Sequence, residues 1–213
     1  MNLPLPALDF ADGGLRLEPT GRDCRTSSIF GAVTSTFFTI GHSTRTIIEF
    51  ADLLREADVD LVVDVRSMPR SRTNPQFNEQ TFPLALAPWH IDYEHIAELG
   101  GHRGKVDSSK PSPNAYWRVR GFRNYADYAL TEPFAVGFAR LRERGGRQRC
   151  AIMCAEAVWW RCHRRIIADY LLAAGESVRH IIGPLNIDEA SMTPGAIVRG
   201  DGTIVYPAEG SQL

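Results

Sequence analysis

The chain has 213 residues, a formal net charge of −1 and 44% hydrophobic residues, which is the composition of one globular domain and excludes a disordered or fibrous chain. The near-zero net charge excludes a global positive field for nucleic acid, so any basic patch is local. The apolar runs are too short to cross a bilayer, no secretory pattern opens the chain, and four cysteines are too few for a disulfide scaffold, so we expect a cytoplasmic protein with reduced thiols and no membrane association.

Short apolar runs alternate with segments of helical periodicity from residue 36 to residue 182. The apolar runs predict five strands, at 36–40, 61–65, 91–93, 151–153 and 177–182. Between them the spacing predicts a helix that Ser43 or Thr44 caps, a helix over 78–87 kinked at Pro83, two linked helices over 125–141 and a helix over 161–174. The polar stretch 104–123 has no clear periodicity and predicts a long loop or lid.

This alternation predicts an α/β fold with a single domain, in which an open, mainly parallel sheet of about five strands is flanked by helices. We expect an irregular N-terminal segment over 1–34, the core domain over 35–183, and a C-terminal extension over 184–213 with a small hairpin that turns at Gly200, Asp201 and Gly202. Because ligands bind beyond the carboxyl ends of parallel strands, a polar cleft is expected at that edge. Four of the predicted strands are followed there by polar residues.

Several strings of the sequence together resemble one known family. They are Thr-Ile-Gly-His-Ser-Thr-Arg, Asp-Val-Arg-Ser-Met-Pro-Arg-Ser, Asn-Pro-Gln-Phe-Asn, Glu-Leu-Gly-Gly, and Met-Cys-Ala-Glu followed by Arg-Cys-His-Arg. Between about Thr36 and Ile182 the chain resembles the family called domain of unknown function 488. It differs at Val158, Trp159 and Trp160, where similar proteins often carry a proline. The resemblance implies a fold and a site, and it implies no substrate.

The candidate catalytic residues are Cys154, Glu156, His163 and His42. Cys154 ends a predicted strand, and Cys162 and His163 are expected in the first turn of the next helix, whose positive end favours a thiolate or a bound anion. In this interpretation Cys154 attacks, His163 or His42 moves a proton, and Glu156 orients the substrate or acts as general acid/base. Alternatively, Cys162 and Cys150 are simply buried, packed thiols.

The spacing of residues around the cysteines argues against two other kinds of site, a zinc site and a cysteine phosphatase site. Adjacent Cys162 and His163 on a helix would point about 100° apart, and Cys-x7-Cys-His is not a usual zinc pattern, so we expect no metal and no cofactor. A cysteine phosphatase needs an arginine after five intervening residues, but Trp160 stands there and Arg161 follows one position late. No dinucleotide or phosphate-loop motif occurs either.

The candidate substrate-binding residues combine charge, hydroxyl groups, glycines and aromatic rings. They are Asp64, Arg66, Ser67, Arg70, Ser71, Gly100, Gly101, Tyr116, Trp117 and Arg164. Arginines and hydroxyls after a strand can grip phosphate or carboxylate, although Arg66 can instead pair with Asp64. Gly100 and Gly101 serve either a tight turn or a close approach to ligand. Tyr116 and Trp117 lie among lysines and arginines in the predicted lid, as in sites that stack nucleotides, although a solvated lid has the same composition.

The leading hypothesis is an enzyme that acts on a phosphate-bearing substrate, a nucleotide or nucleic acid, with an arginine-rich anion site and a Cys/Glu/His catalytic cluster. Its expected partner is an anionic small molecule or nucleic acid. One alternative is a non-catalytic module that binds a nucleotide or nucleic acid in the same cleft, and another is a thiol redox protein that uses Cys154 and Cys162.

Overall fold

The structure is a computed structural model, and it describes residues 35–105, 109, 111–208 and 210. The N-terminal segment 1–34 and Lys110 lie outside the described residues. The described residues contain five α-helices: α1 (Ile47–Glu56), α2 (Phe82–Leu86), α3 (Arg120–Tyr128), α4 (Glu132–Gly145) and α5 (Arg164–Ala173). The strands are β1 (Thr36–Gly41), β2 (Leu61–Asp64), β3 (Asp92–His95), β4 (Cys150–Cys154), β5 (Ser177–Gly183), β6 (Asn186–Glu189), β7 (Ile197–Val198) and β8 (Ile204–Val205).

Six strands form one sheet in the order β3-β2-β4-β1-β5-β6. β1 to β5 are parallel, and β6 pairs antiparallel with β5. The predicted α/β class with a mainly parallel sheet is therefore confirmed. β7 and β8 pair in a separate antiparallel ribbon.

Alternating side chains on the central strands pack on opposite faces of the sheet, as the period of a strand requires. Phe37 of β1 belongs to the apolar cluster on one face, and Phe38 belongs to the cluster on the other. Since β1, β2 and β4 are covered on both faces, their sequences are almost uniformly apolar. The carboxyl ends of these three strands meet at one edge.

Local start signals differ from the prediction in two helices. α1 is capped by Thr46, whose side chain accepts from the Glu49 amide in a capping box, while Ser43 adopts a positive φ of 49° in the preceding turn. α2 is shorter than predicted, since a 3₁₀ turn over Pro75–Phe77 precedes it, and Pro83 lies in its first turn instead of kinking a longer helix. In the part of the chain that is described, no helix is both long and apolar enough to cross a bilayer.

Candidate functional site

A hollow of about 700 Å³ lies at the carboxyl edge of the sheet, where β1, β2 and β4 end. Gly41 of β1 is in register with Cys154 of β4, and Asp64 of β2 is in register with Met153. Residues after each strand therefore meet. The hollow is lined by His42, Ser43, Thr44, Arg66, Ser67, Met68, Arg70, Ser71, Asn74, Gly101, His102, Val119, Gly121, Phe122, Cys154, Ala155, Glu156, Arg161, Cys162 and His163.

Cys154, Cys162 and His163 form the floor group that we call the Cys–His cluster. Their two sulfur atoms and one ring nitrogen all lie within 4.8 Å of one another. The sequence predicted Cys162 in the first turn of the helix, but Cys162 lies before α5. A 3₁₀ turn over Trp159–Arg161 precedes it, and its backbone is extended, with φ −124° and ψ 146°. His163 is the N-cap of α5. The two side chains are therefore not separated by the 100° that adjacent residues of an α-helix would have, and they can point to the same place.

The orientation of the His163 ring is fixed from two sides. Its Nε2 lies 3.0 Å from the carbonyl oxygen of Val65. Because a carbonyl only accepts, Nε2 carries the proton that is donated there, and Nδ1 faces Cys162 Sγ at 3.6 Å. Gly101 lies against the ring face, where an added Cβ would come within 2.9 Å of His163 Cγ. The Val65 carbonyl and the backbone at Gly101 therefore hold the imidazole ring with Nδ1 toward the sulfurs.

Negative charge in the cluster is centred on Cys162. Burial by itself disfavours a thiolate, but the hydrogen bond from Cys154 and the charge of Arg164 outweigh burial and hold the pKa of Cys162 well below its usual range. The Arg164 Nε donates to Cys162 Sγ over 3.2 Å. The pKa of Cys154 is raised, first by its hydrogen bond to Cys162 and then by burial. Of the two sulfurs, the one that Arg164 contacts is thus Cys162 and not Cys154, which sequence analysis assigned as nucleophile.

Arg66 and Asp64 form a buried ion pair on the wall of the hollow. The Arg66 Nη2 lies 2.6 Å from Asp64 Oδ2 and 2.6 Å from the Phe77 carbonyl, and Nε also donates to the carboxylate. Tyr93 donates to the same carboxylate oxygen from the far side. The alternative in which Arg66 pairs with Asp64 is the one that the structure contains, and Asp64 itself does not line the hollow.

His42 links this pair to the floor. Its ring stacks on Phe77 with 4.4 Å between centroids. Its Nδ1 lies 2.9 Å from the Ser43 carbonyl, which makes Nδ1 the protonated nitrogen, and its Nε2 lies 3.3 Å from Arg66 Nη1 and accepts there. Burial lowers the pKa of His42 to about 4. The ring is therefore neutral at pH 7, and its one acceptor nitrogen is engaged by Arg66.

The rim carries charge and hydroxyl groups. Arg70 and Arg161 are exposed, and among the described residues neither has a carboxylate within 4.0 Å. The Ser67 hydroxyl oxygen accepts from the His102 amide of a neighbouring loop at 2.7 Å. The Ser71 hydroxyl oxygen accepts from the Asn74 amide of its own loop at 2.9 Å. Glu156 is exposed and lines the same hollow.

The two glycines of the Leu-Gly-Gly string allow close packing. Gly100 has an ordinary φ of −61°, and Gly101 is not among the glycines with positive φ. An added Cβ on Gly100 would lie 2.9 Å from Ser67 Cα, just as one on Gly101 would meet His163. Their role is therefore to let this loop contact the residues that line the hollow, and a left-handed turn does not explain them.

Besides Asp64 and Gly100, the predicted binding residues Tyr116, Trp117 and Arg164 do not line the main hollow. Tyr116 and Trp117 line a second hollow of about 650 Å³ beside it, together with Trp160 and Arg165. Trp117 is buried and stacks on Phe122, which lines both hollows. Arg164 is buried beside Cys162 and also donates to the Glu156 carbonyl over 2.5 Å. Arg164 therefore interacts with the Cys162 sulfur and with the backbone of the loop that contains Glu156.

Sequence reasoning missed Arg161, Asn74 and His102 as residues of the hollow. Arg161 was considered only as a displaced phosphatase arginine. The position of Arg161 depends on the 3₁₀ turn over Trp159–Arg161, which leaves no periodic signal in the sequence. Asn74 begins the Asn-Pro-Gln-Phe-Asn string and His102 follows the Glu-Leu-Gly-Gly string, so these two strings were the signals for both positions.

The model of the family described as domain of unknown function DUF488 matches residues 46–171. Neither the search of curated proteins nor the search of solved structures found a match to the chain.

Proposed function

For a chain that belongs to the DUF488 family, we propose an enzyme that acts on a phosphate-bearing substrate, a nucleotide or nucleic acid, bound in the main hollow. The observation that carries this proposal is that Arg70 and Arg161, both without an acidic partner among the described residues, line the same hollow as the Cys–His cluster. Unpaired guanidinium groups at a concave site favour a bidentate anion.

The residues divide into binding and reacting groups. Arg70 and Arg161 hold the phosphate from the rim, and the Nη1 of Arg66 is the part of that guanidinium not engaged by Asp64. Glu156 and the Cys–His cluster supply covalent or acid/base chemistry below the bound anion. His42 is neutral, and its Nε2 accepts from Arg66 and so helps to hold that guanidinium in place.

The sizes of the two hollows support a nucleotide. A volume of about 700 Å³ falls within the ~300–1,000 Å³ of small-molecule sites. The adjacent hollow carries the exposed ring of Trp160 and the half-buried ring of Tyr116, which suit a flat base, while the arginines suit its phosphate. The three described cysteines are free, which supports a reducing, cytoplasmic location.

Calorimetric titration with pyrophosphate and with mononucleotides tests the anion site. Arg70→Ala and Arg161→Ala should each weaken binding about 10- to 100-fold, since a hydrogen bond to a charged group contributes ~1.5–3 kcal/mol. Arg72→Ala is the matched control, because Arg72 is exposed on the same bend but does not line the hollow. Binding that is undetectable in the wild type, or equal in Arg70→Ala and Arg72→Ala, contradicts the proposal.

Turnover separates an enzyme from a binding module that uses the same hollow. A phosphate-bearing ligand that binds tightly is incubated with the wild type and with Glu156→Gln, and products are followed by phosphorus NMR. An enzyme converts the ligand, and Glu156→Gln lowers the rate while affinity stays within a few-fold. A ligand that binds and is never converted by the wild type favours the non-catalytic module.

A further inference from the structure

The Cys–His cluster has the donor set of a zinc site. Two sulfurs and an imidazole nitrogen are the ligands that Zn²⁺ prefers, and here they lie within 4.8 Å of one another. With Zn–S of about 2.3 Å and Zn–N of about 2.0–2.1 Å, tetrahedral geometry places sulfur and nitrogen about 3.6 Å apart. The Cys162 Sγ to His163 Nδ1 distance is 3.6 Å, so the pair needs no rearrangement to share one ion.

The second ring nitrogen of His163 is engaged as in metal sites. A ligating histidine commonly donates its other N–H to a carbonyl or carboxylate, which fixes the tautomer and the ring plane. His163 Nε2 has this partner in the carbonyl of Val65, at 3.0 Å. Nδ1 is therefore the ring nitrogen that faces the Cys162 sulfur before any ion binds.

The surroundings of the sulfurs also suit ligation. Cys154 and Cys162 are 8% and 2% exposed, and they are close but not joined in a disulfide. A buried thiolate needs a compensating cation and hydrogen-bond donors, and the Nε of Arg164 is one such donor to Cys162 Sγ. Donors of this kind hold a ligating sulfur in place.

We propose that Cys154, Cys162 and His163 bind one Zn²⁺ whose fourth coordination position opens into the main hollow. Among the residues that the structure describes, no fourth His, Cys, Asp or Glu joins the group. Three protein ligands with one open position are typical of catalytic zinc, whereas structural zinc is closed by four. All three ligands line the hollow, so the open position is accessible to water or to a substrate oxygen, with Glu156 on the same wall to accept a proton.

This inference goes beyond the anion-binding proposal and does not depend on it. It also replaces the expectation that no metal binds, which assumed that Cys162 and His163 diverge on a helix. It changes the role of the sulfurs, since a thiolate that ligates zinc is not the attacking group. The attacking group is then one that binds at the open coordination position of the zinc ion.

Metal analysis and cobalt substitution test the site on the full chain. The protein purified without chelator should contain about one zinc per chain. After removal of zinc, titration with Co²⁺ should give sulfur-to-cobalt charge-transfer absorption in the near ultraviolet and the strong visible bands of tetrahedral cobalt, saturating at one equivalent. These measurements on the wild type need no variant, so a variant that fails to fold does not leave the proposal untested.

Substitutions then assign the ligands. Cys154→Ser, Cys162→Ser and His163→Ala should each weaken Co²⁺ binding by more than about 100-fold, beyond the 10- to 100-fold that loss of an outer partner causes. Cys150→Ser is the matched control, because Cys150 is a buried free thiol at the other end of the same strand. It should keep the full cobalt spectrum.

The outcomes separate the two proposals. Zinc well below one per chain together with a cobalt spectrum that lacks sulfur bands overturns the metal site, as does a native disulfide between Cys154 and Cys162 found by mass mapping. Arg70→Ala should keep one zinc and lose phosphate affinity. If the chain binds phosphate but no metal, the anion-site proposal is supported and the zinc-site proposal is contradicted. If it binds zinc but no phosphate, the zinc-site proposal is supported and the anion-site proposal is contradicted.

Discussion

Burial of a histidine side chain changes its pKa, and the direction of that change determines how the stability of the fold depends on pH. His180 on β5 is 1% exposed, stacks on Trp159 with 4.2 Å between centroids, and shares a hydrogen bond with the Thr39 hydroxyl. Its pKa falls from 6.5 to about 4, first because burial disfavours the charged ring and then because of the charge of Arg164. The folded chain therefore binds this proton less readily than the unfolded chain does.

Acid should therefore destabilise the fold through His180. Between pH 6.5 and about 4 the unfolded chain holds more protons, so the contribution is complete above pH 6.5 and is lost as pH falls through this window. From pH 7 to pH 5 the wild type should lose about 2 kcal/mol more unfolding free energy than His180→Gln, at ~1.4 kcal/mol per pKa unit. Urea unfolding at both pH values measures the difference.

His102→Gln is the control for this prediction. His102 is exposed, so its replacement removes one histidine without disturbing the buried contacts of His180 and separates the loss of any histidine from the loss of this one. If His180→Gln shows the same loss between pH 7 and pH 5 as the wild type does, burial of His180 is not a source of acid sensitivity.

Single residues of the site could be named from the sequence, but their partners could not. His42, Arg66, Cys154 and Glu156 were expected at the strand ends, and all four line one hollow. The convergence of Cys162 with His163 depends on the turn over Trp159–Arg161, which has no periodic signal. The pairing of Arg66 with Asp64 was one of two open alternatives, because spacing alone does not show which acid or anion a guanidinium meets.

Strands and helices were predictable to the extent that burial leaves a pattern. β1, β2 and β4 are continuous apolar runs because both faces are covered, and each was recognised. β6 was missed, since Asn186–Glu189 is an exposed edge strand with the polar sequence Asn-Ile-Asp-Glu. The short α2 was overextended because Pro75 and Pro83 each begin a turn of their own.

The packing of α4 on β1 depends on a glycine with no side chain to clash. Gly145 ends α4 against the buried ring of Phe37, and an added Cβ would come within 2.9 Å of Phe37 Cε2 and closer still to two other ring atoms. Ring and helix end cannot both keep their positions if Gly145 gains a methyl group. The glycine is therefore what lets the helix approach the sheet.

Gly145→Ala should lower the unfolding free energy by about 1–3 kcal/mol, the usual cost of overfilling a packed core. Gly146→Ala is the adjacent control, because its Cβ would meet only backbone oxygens at 3.6 Å and 3.7 Å, which is ordinary contact. That variant should stay within about 0.5 kcal/mol of the wild type. Equal urea midpoints for the two variants would show that α4 can shift away from Phe37 at little cost.

The C-terminal segment is tied into the core of the domain through buried polar groups. Asp169 of α5 accepts from the Thr193 amide and from the Tyr206 hydroxyl, each at 2.8 Å. The Tyr206 amide donates to the Asn114 side chain, and its carbonyl accepts from the Tyr116 amide. Since the segment around Tyr116 borders the second hollow, the end of the chain supports a wall next to the candidate site.

Loss of the Tyr206 hydroxyl should therefore weaken the whole domain. Asp169 is 1% exposed, and Tyr206→Phe removes the hydroxyl that donates to its Oδ2, at a cost of about 1–3 kcal/mol in unfolding free energy. Val198→Ala on the exposed strand β7 is the control and should stay within about 0.5 kcal/mol. Urea unfolding followed by tryptophan fluorescence measures both. A Tyr206→Phe midpoint equal to that of the wild type would mean that this hydroxyl adds nothing to the stability of the domain, because the carboxylate is then satisfied without it.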